Sequence, residues 1–374
     1  MRNLKSTPPL ADVYPLRLGK LRELVSENAF EGVILVPGPN LRYFTGVNSF
    51  LLERPFLFFV PKEGERHLVA PTLESGPYLR APVPMVVHSW EDGEGPGKAI
   101  EETVQQLGIR GRWGLEGKVP YEYLSQLLRH AQPELENAEP ILQRIRSVKD
   151  AQEVKLLQRA ASILSKCFLK IPNMLKAGIT ELELARRISE QITINGAESS
   201  KEVLVQSGAM AADGHHQPNH KKIRRNESVV VDATCTLSGY FADITRTFII
   251  GRDRTFENLY QKVLGAQVAA IEASQQGVTV GFVDSAARSY LQQSGLAQYF
   301  VHRTGHGLGL EVHEAPYIIP DGKEVLQAST VFTVELGVYM RDKTGLRIED
   351  DILVTEQGRK VLTKSLPKEF EWWR

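Results

Sequence analysis

Cysteine is almost missing from this chain: Cys167 and Cys235 are the only two in 374 residues. Two thiols cannot build a disulfide framework, so a reducing, cytoplasmic setting is expected. Net charge is also missing, because 45 basic residues balance 45 acidic ones. That balance gives no electrostatic reason to expect nucleic acid or an anionic membrane as a partner. No apolar run approaches the roughly 20 residues of a membrane span. The opening Met1-Arg-Asn-Leu-Lys5 leads into prolines rather than an apolar core, so no secretory leader is expected. Low-complexity tracts and short tandem repeats are absent too. What remains is a globular chain long enough for two cores.

The most informative residues are acids in unexpected places. Val229-Val-Val-Asp232 and Tyr240-Phe-Ala-Asp243-Ile-Thr-Arg246 form two β-rich runs joined through Gly239. Val331-Phe-Thr-Val-Glu335 and Leu346-Arg347-Ile-Glu349-Asp350-Asp351 repeat the device around Gly345. One acid on the wet face of a hairpin would be ordinary. Four in apolar strands are not, since an ionised carboxylate there costs several kcal/mol unless paired or metal-bound. Arg246 and Arg347 could neutralise at most half of them. Between the hairpins lies Thr304-Gly-His306-Gly-Leu-Gly-Leu-Glu-Val-His313-Glu314, where glycines allow close approach to whatever the imidazole binds. A divalent metal cluster satisfies all of these groups together.

Asp232, Asp243, His306, Glu335 and Glu349, in that order, resemble the five metal ligands of the pita-bread metallopeptidases. This family holds methionine aminopeptidase, Xaa-Pro aminopeptidase and Xaa-Pro dipeptidase (prolidase). The stretches ADITRTF, TGHGLGLEVHE and RIEDDILVTE are similar to its signatures. The resemblance implies two divalent ions, Mn²⁺, Co²⁺, Fe²⁺ or Zn²⁺, with manganese favoured. It makes Asp232 a ligand of one ion, His306 of the other, and Asp243 and Glu349 bridges between them. Glu335 would bind metal and take the proton as a bridging hydroxide attacks the scissile carbonyl. His215 and His313 fall where the Xaa-Pro peptidases carry catalytic histidines. His302 falls on a site-lining histidine, and Arg347 is placed to orient acids or bind substrate. The chain departs from the family pattern at Leu336, at Ala233-Thr234 and at Gly214, none of them a ligand position.

In chain order, Leu16 to Glu27 has helical spacing, and strands are expected at 32–37, 55–60, 66–70, 85–90 and near Trp113. Helices are expected at 98–107 and 121–130, with a Gly-Pro-Asn turn after the first strand. Alternating strands and helices argue an α/β domain over residues 1–144, and Asn40-Leu-Arg-Tyr-Phe-Thr-Gly46 resembles the creatinase-type amino-terminal domain. Its histidines, His67, His88 and His130, read as structural or exposed. Residues 145–374 read as the α+β catalytic domain with an internal two-fold: helix pairs alternating with hairpins. Ser147-Val-Lys-Asp150 looks like a capping box, and Thr180 opens a second helix. The tail tryptophans are expected to cover core or a subunit contact, and a homodimer is expected. Short proline-containing peptides are the implied substrates. A dipeptidase is favoured over an aminopeptidase for longer peptides, over metal-free creatinase chemistry and over a peptide-binding pseudo-peptidase.

Overall fold

The computed structural model describes residues 13–370 and 373; the prolines after Met1 and Trp372 of the tail lie outside the described residues. The chain divides into two compact units, Met1–Ile145 and Arg146–Arg374. The first is α/β. It runs α1 (Val13–Glu27), β1 (Gly32–Leu35), α2 (Pro39–Thr45), β2 (Leu57–Pro61), β3 (His67–Pro71) and α3 (Thr72–Ser75). β4 (Val86–Trp90), α4 (Gly97–Leu107), β5 (Arg112–Leu115), α5 (Tyr121–Leu127), β6 (Glu134–Asn137) and α6 (Glu139–Ser147) follow. The six strands form one sheet in the order β4-β3-β2-β1-β5-β6. β1, β2 and β3 are buried along their whole lengths, which is why they read as unbroken apolar runs.

Several expectations need correction here. The Gly-Pro-Asn stretch is not a free turn: Pro39 opens α2, which stops at Gly46 in the left-handed region. Leu16 lies on the outer face of α1 and is exposed, whereas Leu18, Leu21, Leu24 and Val25 are buried. β6 went unread because it is polar and lies at the sheet edge, whereas α6 does carry buried apolar residues at helical spacing, Leu142 and Ile145, and occupies the expected domain boundary. His67 and His88 pair inside this unit, with Nδ1 of the first 3.0 Å from Nε2 of the second.

The second unit starts with α7 (Ala151–Phe168), α8 (Ile171–Met174) and α9 (Glu181–Ile194). β7 (Ser199–Ser207), β8 (Ser228–Leu237) and β9 (Tyr240–Ile249) form a three-stranded sheet. Next come α10 (Arg254–Ala273) and α11 (Val280–Gln293). β10 (Gly305–Gly307), β11 (Glu314–Ile318), β12 (Val331–Met340), β13 (Thr344–Thr355) and β14 (Gly358–Val361) make a five-stranded sheet, ordered β11-β10-β12-β13-β14. The capping box of α7 is Asp150 with Glu153, three residues later than Ser147-to-Asp150. Ser147 instead ends α6, and Thr180 caps α9 as expected.

Each half of this unit buries a helix pair on a hairpin. Ala160, Leu164, Phe168, Leu184 and Ile188 pack on Val229, Val231 and Ile244. Tyr260, Val263, Val283 and Leu291 pack on Phe332, Val334, Ile348 and Ile352. Trp373 closes the seam, edge-on to Phe248 and near Tyr260. Both cysteines are buried and free.

The two hairpins are tied by β9 and β13. Thr247 Oγ1 donates to the Arg347 carbonyl at 2.8 Å and accepts from its N–H at 2.9 Å. Arg246 is fully buried and donates to Asp350 at 2.8 Å and to the carbonyls of Thr245, Glu349, Leu366 and Pro367. It therefore neutralises none of Asp232, Asp243, Glu335 and Glu349. Burial raises the Asp350 carboxyl, but Arg246 and Lys368 outweigh it and hold the group down to about 2.

Arg246→Ala should leave buried Asp350 with Lys368, 3.2 Å away, as its remaining cation and cost about 3 kcal/mol, the low end for breaking a buried pair. Hydrogen exchange of the β9 and β13 amides reads this locally. A loss under about 1 kcal/mol would mean that the pair does not hold the hairpins together.

Candidate metal centre

The register of each hairpin sets which acids meet. Glu335 on β12 faces Glu349 on β13 directly. On the other hairpin Asp232 faces Thr245 and Asp243 faces Thr234, so the two aspartates are diagonal neighbours on one face. Thr245, between the hairpins, donates from Oγ1 to Glu349 Oε2 at 2.7 Å. Like charges directly opposite one another destabilise a sheet unless a cation sits between them.

His306 reaches the same space from β10, where a bulge follows it. Its Nδ1–H donates to the Gly307 carbonyl at 3.2 Å, leaving the Nε2 lone pair toward the acids. Nε2 lies 3.5 Å from Glu335 Oε1 and 4.0 Å from Asp243 Oδ2. Ligand atoms of Asp243, His306 and Glu349 all lie within 4.8 Å of one another. Burial pushes His306 down to about 3, so its imidazole is neutral and ready to ligate.

The acids are driven the other way. Burial pushes Glu335 up to about 7, with Asp232 adding to the rise and Arg347 opposing it. Asp243 and Glu349 are raised well above the usual carboxylate range, first by burial and then by their acidic neighbours. Asp243 Oδ1 is buried with no hydrogen-bond partner. A hard, oxygen-rich set with one imidazole and an orphaned carboxylate oxygen fits divalent cations. The residues present suit the metal.

Arg347 is not a surface ion pair. It is buried, its Nη2 donates to Asp232 Oδ2 at 2.6 Å, and Nε donates to Thr245 Oγ1 at 3.2 Å. Nη1 donates to the Tyr339 hydroxyl at 2.9 Å, which in turn meets His302 Nε2 at 3.0 Å. Nδ1–H of His302 donates to the Arg303 carbonyl at 2.7 Å, so both ring nitrogens are engaged. Gly337 makes this relay possible, because a Cβ there would sit 2.5 Å from the Tyr339 hydroxyl.

All nine residues singled out from the sequence line one cavity of about 460 Å³. Asp232, Asp243, His306, Glu335, Glu349 and Arg347 form its floor, and His302 a wall. His215 and His313 are exposed at its mouth, with the His313 ring perpendicular to His306 at 4.2 Å between centroids. Tyr339, Arg303 and Glu202 also line the cavity and were missed, as was Thr245, which bonds to Glu349 and Arg347. Strand alternation from Glu335 to Tyr339 and from Asp243 to Thr245 carried a signal for two of them. Arg303 and Glu202 carried none. His216 pairs with buried Glu181 at 3.1 Å, away from the acids.

Residues 155–356 match the model of metallopeptidase family M24, and residues 17–148 match the creatinase/prolidase N-terminal domain. The chain is 34% identical to the probable dipeptidase PepE of Mycobacterium tuberculosis over 96% of each chain. It is 30% identical to the Xaa-Pro dipeptidase of Pyrococcus horikoshii, covering 95% of this chain and 98% of the other. The crystal structure of dipeptidase PepE from Mycobacterium ulcerans superposes with a TM-score of 0.91 at 33% identity, over 97% and 99% of the two chains.

Metal must displace protons from acids whose affinity for them is raised, so binding should strengthen as pH rises. Between pH 6 and 7 the apparent Kd for Mn²⁺ should fall by about tenfold per proton released. Calorimetry in buffers of different ionisation enthalpy counts those protons. Affinity independent of pH from 6 to 8 would refute this ligand set. Asp243→Ala and Glu349→Ala should each lose at least one ion by elemental analysis.

Proposed function

Since the chain belongs to metallopeptidase family M24, we propose that it hydrolyses the peptide bond preceding proline, acting foremost on Xaa-Pro dipeptides. The observation that carries this reading is the convergence of four acids and one neutral imidazole on a single cavity, together with the dipeptidase and Xaa-Pro dipeptidase relatives. Asp232 would hold one ion, His306 the other, and Asp243 and Glu349 both; Glu335 completes the set. When bound, the ions supply Lewis acidity toward the scissile carbonyl and acidify water at neutral pH.

The chain's own residues do the rest. Glu335 accepts the proton of the attacking water, and Arg347 holds Asp232 in place through its 2.6 Å bond. His313 donates a hydrogen bond to the negative charge that develops on the reacting carbonyl. His215, also exposed at the mouth, positions the peptide. His302, with both nitrogens engaged, shapes the wall and orients Tyr339 and Arg347. Proline's tertiary nitrogen offers no N–H, so the pocket must read ring shape.

With Mn²⁺ supplied, Ala-Pro should turn over well ahead of Ala-Ala, and ahead of Ala-Pro-Ala. Equal rates on Ala-Pro and Ala-Ala would reject the proline specificity, whereas faster cleavage of the tripeptide would move the protein to the aminopeptidases. His313→Ala should keep its metal and lose kcat by ~10²–10³-fold with KM changing less. His306→Ala beside it should lose metal. A His313→Ala protein that loses metal would make His313 a ligand.

A further inference from the structure

His313 is exposed, with its ring against that of His306, and its place depends on the loop that carries it. That loop, residues 308–313, joins β10 to β11, and its ends are paired through Gly307 and Glu314. Glu314 is 4% exposed and points under the loop rather than out of it. Arg146 Nη2 and Lys149 Nζ both donate to its carboxylate, the second to Oε1 at 3.0 Å. The Glu311 N–H donates to Glu314 Oε2 at 3.2 Å, and the Glu311 side chain pairs with Arg146 Nη1 at 3.0 Å. The loop is folded around this carboxylate. A Cβ on Gly309 would lie 2.3 Å from Glu314 Oε1, so only glycine lets the backbone come so close.

The two cations are fixed independently. The Lys149 N–H donates to the Ser329 carbonyl at 3.0 Å, and Val148 bridges to Thr330 just before β12. Arg146 and Lys149 are each 3% exposed. A buried network of two cations and two acids brings little stability over an apolar packing of equal volume. A fully satisfied one does fix a single conformation. The conformation fixed here is the one that presents His313.

We propose that Glu314, clamped between Arg146 and Lys149, is the positioning residue for His313, holding its ring over the cavity from below. This rests on the reading of His313 as a donor to the reacting carbonyl. Arg146, Lys149 and Glu314 are not among the residues that line the cavity, so loss of the clamp should lower turnover through the loop that bears His313.

The test is a double-mutant cycle on the full chain with Mn²⁺ and Ala-Pro. Glu314→Gln keeps the shape and removes the charge. The charge-balanced pair Glu314→Gln/Lys149→Met serves if the single variant does not fold. Either should keep its metal content, lose kcat about 10–100-fold and change KM less than threefold. In a His313→Ala background the same change should cost less than about twofold. In metal-free protein labelled with [¹³Cε1]histidine, the His313 resonance should shift and broaden while His216 stays put. Full turnover in a folded clamp variant, or an undiminished loss in the His313→Ala background, overturns the proposal while leaving the His313 reading intact. Undiminished turnover of His313→Ala alone overturns both. An unmoved His313 resonance overturns the positioning role whatever the substrate proves to be.

Discussion

Two glutamates facing each other across a hairpin set the terms for the rest of the molecule. Glu335 and Glu349 are directly opposed in register, with Asp243 and His306 closing the space around them. Buried carboxylates so close cannot all stay ionised without positive charge among them. Protonation is one answer, and the raised affinities of Glu335, Asp243 and Glu349 for protons describe it. A divalent ion is the other. Arginine supplies a third only in part: Arg347 pairs with Asp232, whereas the fold commits Arg246 to Asp350.

Those commitments explain the architecture around the site. Arg246 holds Asp350 and four backbone carbonyls on the seam between the hairpins, so the seam is rigid where the acids must hold a fixed spacing. Arg347 takes Asp232 and Tyr339, reaching across from one hairpin to the other. Buried ion pairs of this kind are weak evidence for net stability and better evidence for a specified geometry. The Arg146–Glu314–Lys149 cluster follows the same pattern one layer further out, beneath the loop that bears His313. Charge that the interior cannot leave unpaired is used throughout this unit to fix positions. The two helix pairs supply the apolar burial that holds the hairpins in place while this happens.

Much of this was legible in the residues because strand periodicity and local sequence carried it. The four acids stood out as charges inside apolar runs, and both hairpins, their turns and the helices before them follow from patterns of two and of 3.6. Thr180 was readable as a cap because capping is a contact over three residues. The α7 box was placed three residues early because Ser147 and Asp150 both satisfy the same local rule, and only the path of α6 decides between them. Polar β6 at the sheet edge left no periodic trace at all.

The sequence by itself determined that four acids lie in two apolar β-hairpins with a glycine-flanked histidine between them, and that an α/β unit precedes them. These depend on residue type and near-neighbour spacing. The tertiary structure alone decided where each compensating charge goes: Arg246 to Asp350, Arg347 to Asp232, Arg146 and Lys149 to Glu314. It also decided that Arg303 and Glu202 face the cavity and that His302 has no free nitrogen. Those pairings join residues about 100 or more positions apart, and no local pattern records them. They are set by which strands pack face to face, and by the rule that a charge taken from water must find its partner within the fold.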